Sequence, residues 1–178
     1  MTFDRCDIEG LVVITPDVYM DDRGYFFESF NEKEFSENIG SVRFVQDNES
    51  FSRKGVVRGL HFQEGDDAQA KLVRCVRGVI FDVAVDLRPG SHTFGKYFKV
   101  LLSDKNKKQF FIPRGFAHGF SVLSDTAIFQ YKCDNFYCPK SEGGYHPLSK
   151  SLSIDWGIPE DEMVLSEKDK NRAEFILP

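Results

Sequence analysis

Four histidines, His61, His92, His118 and His146, are the side chains of this 178-residue chain whose ordinary pKa suits them to move protons at neutral pH. Two of them have informative neighbours. His61 lies in Arg58-Gly59-Leu60-His61-Phe62-Gln63, and His118 in Pro113-Arg114-Gly115-Phe116-Ala117-His118-Gly119-Phe120. Lys71, further arginines and the carboxylates Asp82 and Asp86 fall between them. Histidines, a lysine, arginines and carboxylates together suit the removal of a proton beside a carbonyl group. Such a reaction needs a base near neutrality. It needs a positive group to hold the enolate charge, a task Lys71 could perform. It also needs an acid, such as a tyrosine, to return the proton from the other face. His92 and His146 have no such company and read as surface residues.

The charge distribution points to the kind of ligand. From Arg53 to Arg77 the basic residues Arg53, Lys54, Arg58, Lys71, Arg74 and Arg77 oppose only Glu64, Asp66 and Asp67, a window of +3 in a chain of net −5. A cationic strip on an acidic protein suits a small anionic ligand such as a diphosphate. The acidic total argues against nucleic acid as a partner. No apolar run approaches the roughly 18 residues that cross a membrane. The opening Met1-Thr2-Phe3-Asp4-Arg5-Cys6-Asp7 is polar rather than cationic and then apolar, so a cytoplasmic protein is expected. In that setting Cys6, Cys75, Cys133 and Cys138 read as reduced packing thiols.

The elements that must position these groups are strands. The 18 Phe and 6 Tyr, with 14 Gly and 7 Pro, predict a β-rich core with many turns. β-branched or aromatic runs occur at Gly10–Thr15, Gly24–Phe30, Val42–Gln46, Val56–Phe62, Lys71–Val76, Val79–Leu87, Tyr97–Leu102, Gln109–Ile112, Gly119–Leu123 and Ala127–Cys133, separated by turn clusters such as Ser52-Arg53-Lys54-Gly55. A short helix is expected between Asn31 and Gly40, capped by Asn31, and another after Ser166. This spacing describes a sandwich or barrel rather than alternating β–α units, in one domain spanning residues 1–178. In Val79–Leu87 one face reads Val79, Phe81, Val83, Val85 and Leu87, and the other Ile80, Asp82, Ala84 and Asp86. The carboxylate face fits either solvent or a polar cavity inside a barrel.

The Pro113-x-Gly115-x-x-His118 spacing resembles the second motif of the cupins, small jelly-roll barrels. Where metal-binding cupins have His-x-His, this chain has His61 followed by Gln63, so no metal is expected. Longer tracts extend the likeness. Asp22–Phe30, Val45–Ser50, Val57–Gln63, Ala70–Arg74, Phe81–Arg88, Ser91–Gly95, Ile112–Phe120 and Gln130–Lys132 resemble, in order and spacing, the signatures of the dTDP-4-dehydrorhamnose 3,5-epimerase family over roughly residues 8–170. Only the tract Tyr145–Ser149 departs clearly, where the family commonly has Trp-x-Asp; it is expected near the mouth of the site.

The resemblance implies an all-β, double-stranded β-helix of cupin type with short peripheral helices, usually a homodimer with a shared nucleotide site, using neither metal nor other cofactor. Its substrate would be dTDP-4-keto-6-deoxyglucose, whose C4 ketone acidifies the protons on C3 and C5. By matching position, His61 would be the base, Asp169 its carboxylate partner, Lys71 the enolate stabiliser and Tyr131 the acid on the opposite face. Arg58, Gln46 and Asn48 would contact ligand, Tyr137 would lie near the base, and His118 with Asp82 would line the pocket as a supporting pair. Arg23, Phe26 and Glu28 would reach the nucleotide across the dimer. Alternatives are a C3-only epimerase, a ketoisomerase, a metal-dependent cupin and a non-catalytic nucleotide-sugar binding module.

Overall fold

Alternating side chains and glycine turns make β strands the dominant regular structure in the computed structural model, which describes residues 1–177. The strands are β1 (Thr2–Arg5), β2 (Val12–Thr15), β3 (Tyr19–Asp21), β4 (Gly24–Phe26), β5 (Gln46–Arg53), β6 (Val57–Gln63), β7 (Lys71–Arg77), β8 (Val79–Asp86), β9 (Tyr97–Ser103), β10 (Gln109–Ile112), β11 (Phe116–Val122), β12 (Thr126–Cys133) and β13 (Glu142–Gly144). Helices α1 (Glu32–Asn38) and α2 (Glu167–Lys170) lie outside the sheets. One sheet has the order β1-β2-β10-β7-β12-β5, the other β13-β6-β11-β8-β9, and β3-β4 form a separate hairpin. Neighbouring strands are antiparallel throughout, and from β5 to β12 the chain repeatedly changes sheet. This is the expected jelly roll.

The barrel interior is apolar over much of its length. Val73, Phe110 and Phe129 of the first sheet meet Ile80, Leu102 and Phe120 of the second in one buried cluster. Phe120 and Phe129 stack with ring centroids 4.4 Å apart. The outer face of the second sheet is covered by the chain after β13: Leu152, Trp156 and Phe175 pack on Val57, Leu60, Val83 and Val85. The first sheet is covered by Phe35 of α1, which packs with Val12, Ile14 and Phe111. Asn31 caps α1 as expected, its Oδ1 accepting from the backbone N–H of Lys33 and Glu34.

One choice that the sequence reading left open and two differences from it have physical causes. Of the two options for the carboxylate face of β8 the interior one holds: Asp82 and Asp86 are fully buried, because this face, with Ile80 and Ala84, turns into the barrel while Val83 and Val85 lie under the C-terminal segment. Strand β5 runs through the polar Gln46–Arg53 rather than Val42–Gln46. Eight register pairs with β12 override its weak local preference. The Gly24–Phe30 run yields only the three-residue β4, with Phe30 turned inward against Phe35 and Phe44. Among the described residues, no helix is long and apolar enough to cross a membrane.

Trp156 is the largest fully buried side chain, and its Nε1–H donates to the Pro147 carbonyl at 2.9 Å. Trp156→Ala should cost about 3–5 kcal/mol in urea unfolding followed by circular dichroism. A loss below about 1 kcal/mol would mean that the C-terminal cover is not part of the cooperative core.

Candidate active site

The site begins with two strands held unusually close. In the β6–β11 pairing His61 stands opposite His118. Gly59, at φ +131°, lies so near Gly119 that a Cβ there would come within 2.6 Å of the Gly119 Cα, so only glycine fits. His61 Nε2 is 2.6 Å from Asp169 Oδ1, a bond across 108 positions of sequence. Asp169 is buried in α2, whose Ser166 cap accepts from the Asp169 N–H at 3.1 Å. Burial pushes the Asp169 carboxyl up, but the His61 bond and charge, with help from Ser166 and the Gly59 backbone, hold it below the ordinary carboxylate range. An ionised carboxylate can only accept. Nε2 therefore carries a proton, and in the neutral tautomer that this bond selects Nδ1 has the free lone pair. The His61 side chain keeps about a third of its surface exposed (36%), so that nitrogen is reachable.

Behind His61, His118 Nε2 lies 3.0 Å from both oxygens of Asp82. Burial drives the His118 pKa down, and the positive charges of Lys71 and His61 add to this against the pull of Asp82. His118 is thus held toward its neutral form, and burial likewise pushes the Asp82 carboxyl up, against the pull of His118 and Lys71. Lys71 enters the interior from the start of β7, its Nζ 5.7 Å from the centre of the Tyr131 ring. Burial lowers its pKa, and the carboxyl groups of Asp82 and Glu142 oppose that. Among the described residues no carboxylate pairs directly with Nζ, which leaves the ammonium available to an incoming anion. Burial raises the Tyr131 pKa, keeping its hydroxyl protonated.

His61, Gln63, Lys71, Tyr131, Tyr137 and Glu142 share the walls of a cavity of about 160 Å³. Of the other predicted contacts, Asn48 lines the second cavity described below, whereas Gln46, Arg58 and His118 line neither. Gln46 Nε2 donates to Asn48 Oδ1 at 3.0 Å, and Gln46 Oε1 accepts from the Tyr137 N–H at 3.1 Å. Arg58 reaches from β6 to β5, its Nε donating to Ser52 Oγ at 3.0 Å. A second cavity of about 310 Å³ adjoins Asn48, Arg74, Gln109, Gln130, Tyr131 and Lys132. Among the described residues, no group of three or more His, Cys, Asp or Glu is arranged to hold a metal ion.

Some predicted residues stand apart. Arg23, Phe26 and Glu28 line neither of these cavities. Arg23 instead folds onto Asp21, Glu28 accepts from Asn31, and Phe26 is 67% exposed on the hairpin. No residue of the Tyr145–Ser149 tract lines the cavity, although Tyr145 packs on Phe62, which does. The Tyr145 backbone pairs with Leu60 as the chain continues from β13, which sends its ring between Phe62 and Phe175 on the outer side of the sheet. His146 is partly buried rather than on the surface, its Nδ1 accepting from the Leu148 N–H. The sequence reading missed Glu142, which accepts from Tyr137, Lys168 and Arg172. Its partners lie up to 30 positions away, so no local pattern marks it.

Comparison with known proteins gives a consistent result. The family described as dTDP-4-dehydrorhamnose 3,5-epimerase matches residues 5–176. An Escherichia coli (strain K12) protein of that name is 54% identical over 168 residues, which cover 93% of this chain and 90% of the relative. The crystal structure of a dTDP-4-dehydrorhamnose 3,5-epimerase from Elizabethkingia anophelis NUHP1 is similar at TM-score 0.94 and 55% identity, covering 98% of this chain and 96% of the other. A Legionella pneumophila dTDP-6-deoxy-D-glucose-3,5-epimerase, solved in complex with dTDP-4-keto-L-rhamnose, is similar at TM-score 0.93 and 49% identity, covering 97% and 92%.

The lowered Asp169 pKa has a signed consequence. Its stabilisation is fully present above the unfolded carboxylate value near pH ~4, and is lost as pH falls through the depressed folded value. Urea unfolding should show wild type more stable than Asp169→Asn at pH 7, with the gap closing on acidification below about pH 4. A gap that stays constant down to acid pH would contradict the ionised assignment.

Proposed function

This chain belongs to the dTDP-4-dehydrorhamnose 3,5-epimerase family, and we propose that it inverts C3 and C5 of dTDP-4-keto-6-deoxy-D-glucose to give dTDP-4-keto-L-rhamnose. The observation that carries the reading is the 2.6 Å His61–Asp169 bond at the wall of a cavity that Lys71 and Tyr131 also line. The C4 ketone acidifies the hydrogens on both neighbouring carbons. His61 Nδ1 takes one of them as a proton while Asp169 holds the Nε2–H and steadies the imidazolium that forms. The electron pair moves onto the ketone oxygen, and the Lys71 ammonium holds the resulting enolate. Tyr131, kept protonated by its burial, gives a proton to the opposite face and inverts the carbon. Exchange with solvent then restores His61 and Tyr131 for the second carbon.

The His118–Asp82 pair supports the wall behind His61, and Arg58, Gln46, Asn48 and Tyr137 hold the sugar and diphosphate. The nucleotide is completed by a second copy of this chain, whose Arg23, Phe26 and Glu28 reach it across a homodimer interface. The uncovered apolar tip of the β3–β4 hairpin supports this, with Tyr19, Met20, Tyr25 and Phe26 all exposed. Residues 1–178 act as one epimerase domain.

Deuterium incorporation followed by NMR tests the reading. In deuterated water with dTDP-4-keto-6-deoxyglucose, label should enter both C3 and C5, and His61→Ala should slow this by about 10³-fold or more. Label at C3 alone would replace the reading with a single-site epimerase or a ketoisomerase. Binding of dTDP with no exchange at either carbon would leave only a binding module.

A further inference from the structure

Glu142 opens β13 and stands opposite Gln63 of β6, while Gly144, two residues on, stands opposite His61. Its carboxylate collects three donors: the Tyr137 hydroxyl at 2.6 Å, Lys168 Nζ at 2.5 Å and Arg172 Nη2 at 2.7 Å. Burial pushes the Glu142 carboxyl up, yet Lys168, Tyr137 and Arg172 hold it below its ordinary value, so it is an anion whenever the enzyme works. Tyr137 lines the cavity with Glu142, whereas Lys168 and Arg172 come from the separate α2 segment. Tyr137 lies on the segment between β12 and β13, which is tied down again where Gln63 Oε1 accepts from the Cys138 N–H at 2.7 Å. Lys168 immediately precedes Asp169 in α2, and Arg172 follows that helix.

The Arg172 end of this network has little slack. Its side chain is four-fifths buried, and its Nε has no partner among the described residues. Glu142 is therefore the counter-charge that lets the guanidinium remain inside. Without it an uncompensated charge would draw the end of α2 outward. Asp169 would then move relative to His61, and Tyr137 would lose its anchor at the same time.

We propose that Glu142 is a positioning residue, whose carboxylate sets the spacing between the His61–Asp169 base and the Tyr137 wall of the same cavity. It does this by pinning Tyr137 on one side and α2 on the other. The inference rests on the epimerase reading, since it concerns the geometry in which that base meets its substrate. A displacement near 1 Å at such a site costs on the order of 10²-fold in rate.

Steady-state exchange kinetics on the full-length protein test it, with Glu142→Gln, Glu142→Ala, Tyr137→Phe and the Tyr137→Phe/Glu142→Gln double variant. Glu142→Gln should lower kcat about tenfold and Glu142→Ala about 10²-fold, with KM within about threefold of wild type. The double variant should be little slower than the worse single one, because both changes act through the same Tyr137–Glu142 link. Glu142→Gln keeps an oxygen acceptor, and Tyr137→Phe keeps the Glu142–Arg172 pair, so these two carry the test even where Glu142→Ala does not fold. Wild-type kcat in Glu142→Gln, or single losses that multiply in the double variant, would overturn the proposal while leaving the epimerase reading intact. No exchange by the wild-type protein would overturn both.

Discussion

The hydrogen bond between His61 and Asp169 is the constraint on which the rest of this structure turns. A histidine on a barrel strand is a base of no fixed tautomer and no fixed direction. A buried carboxylate at 2.6 Å gives it both. The carboxylate comes from the far end of the chain, so the fold must return that end to the outer side of β6. Val57 N–H donates to the Val164 carbonyl, Leu60 exchanges two backbone bonds with Tyr145, and Trp156 and Phe175 fill the space between. The apolar cover over the second sheet is thus a stabilising layer and the device that delivers Asp169.

The interior divides by polarity along the same strands. Phe110, Phe120 and Phe129 close one part of the barrel, the last two with stacked rings, while Lys71, Tyr131 and His118 occupy the part next to it. Burying charge there is costly, and each buried charge is answered individually. Asp82 is hydrogen-bonded by His118, and burial pushes its carboxyl toward the neutral form. Asp86 is held far below its ordinary pKa by a two-point Arg88 contact and by the Ser91 and Thr93 hydroxyls, enough to outweigh its burial. Lys71 is the exception: it is buried, burial lowers its pKa, and among the described residues no carboxylate pairs directly with its Nζ. An unpaired buried cation is destabilising to the protein alone and favourable to a reaction that generates negative charge beside it.

Much of this was legible in the sequence, for reasons that differ by element. Strands β7, β8, β10 and β12 are dense in β-branched and aromatic residues, so their own preference agreed with their partners. Asn31 and Ser166 marked helix starts because a cap is a local interaction. Strand β5 was not legible, because Gln-Asp-Asn-Glu-Ser becomes a strand only by pairing with β12. The ambiguity of the β8 carboxylate face could not be resolved from β8 itself, since the answer depends on Trp156 and Phe175 covering its other side. For the site, the roles of His61, Lys71, Tyr131 and Asp169 came from resemblance, whereas their convergence is a property of the fold. Glu142 escaped both routes: its importance lies in three donors assembled from separate segments, and carboxylates are common everywhere on the surface.

The most direct measurement is the turnover of Asp169→Asn beside its affinity for dTDP. Asparagine preserves the size of the side chain but no longer enforces a proton on Nε2 or stabilises the imidazolium. The account predicts a fall in kcat of about 10²-fold or more, with the dTDP dissociation constant within about twofold of wild type. A folded Asp169→Asn protein that turns over at nearly the wild-type rate would contradict it, and would remove the His61–Asp169 pair from the centre of the mechanism.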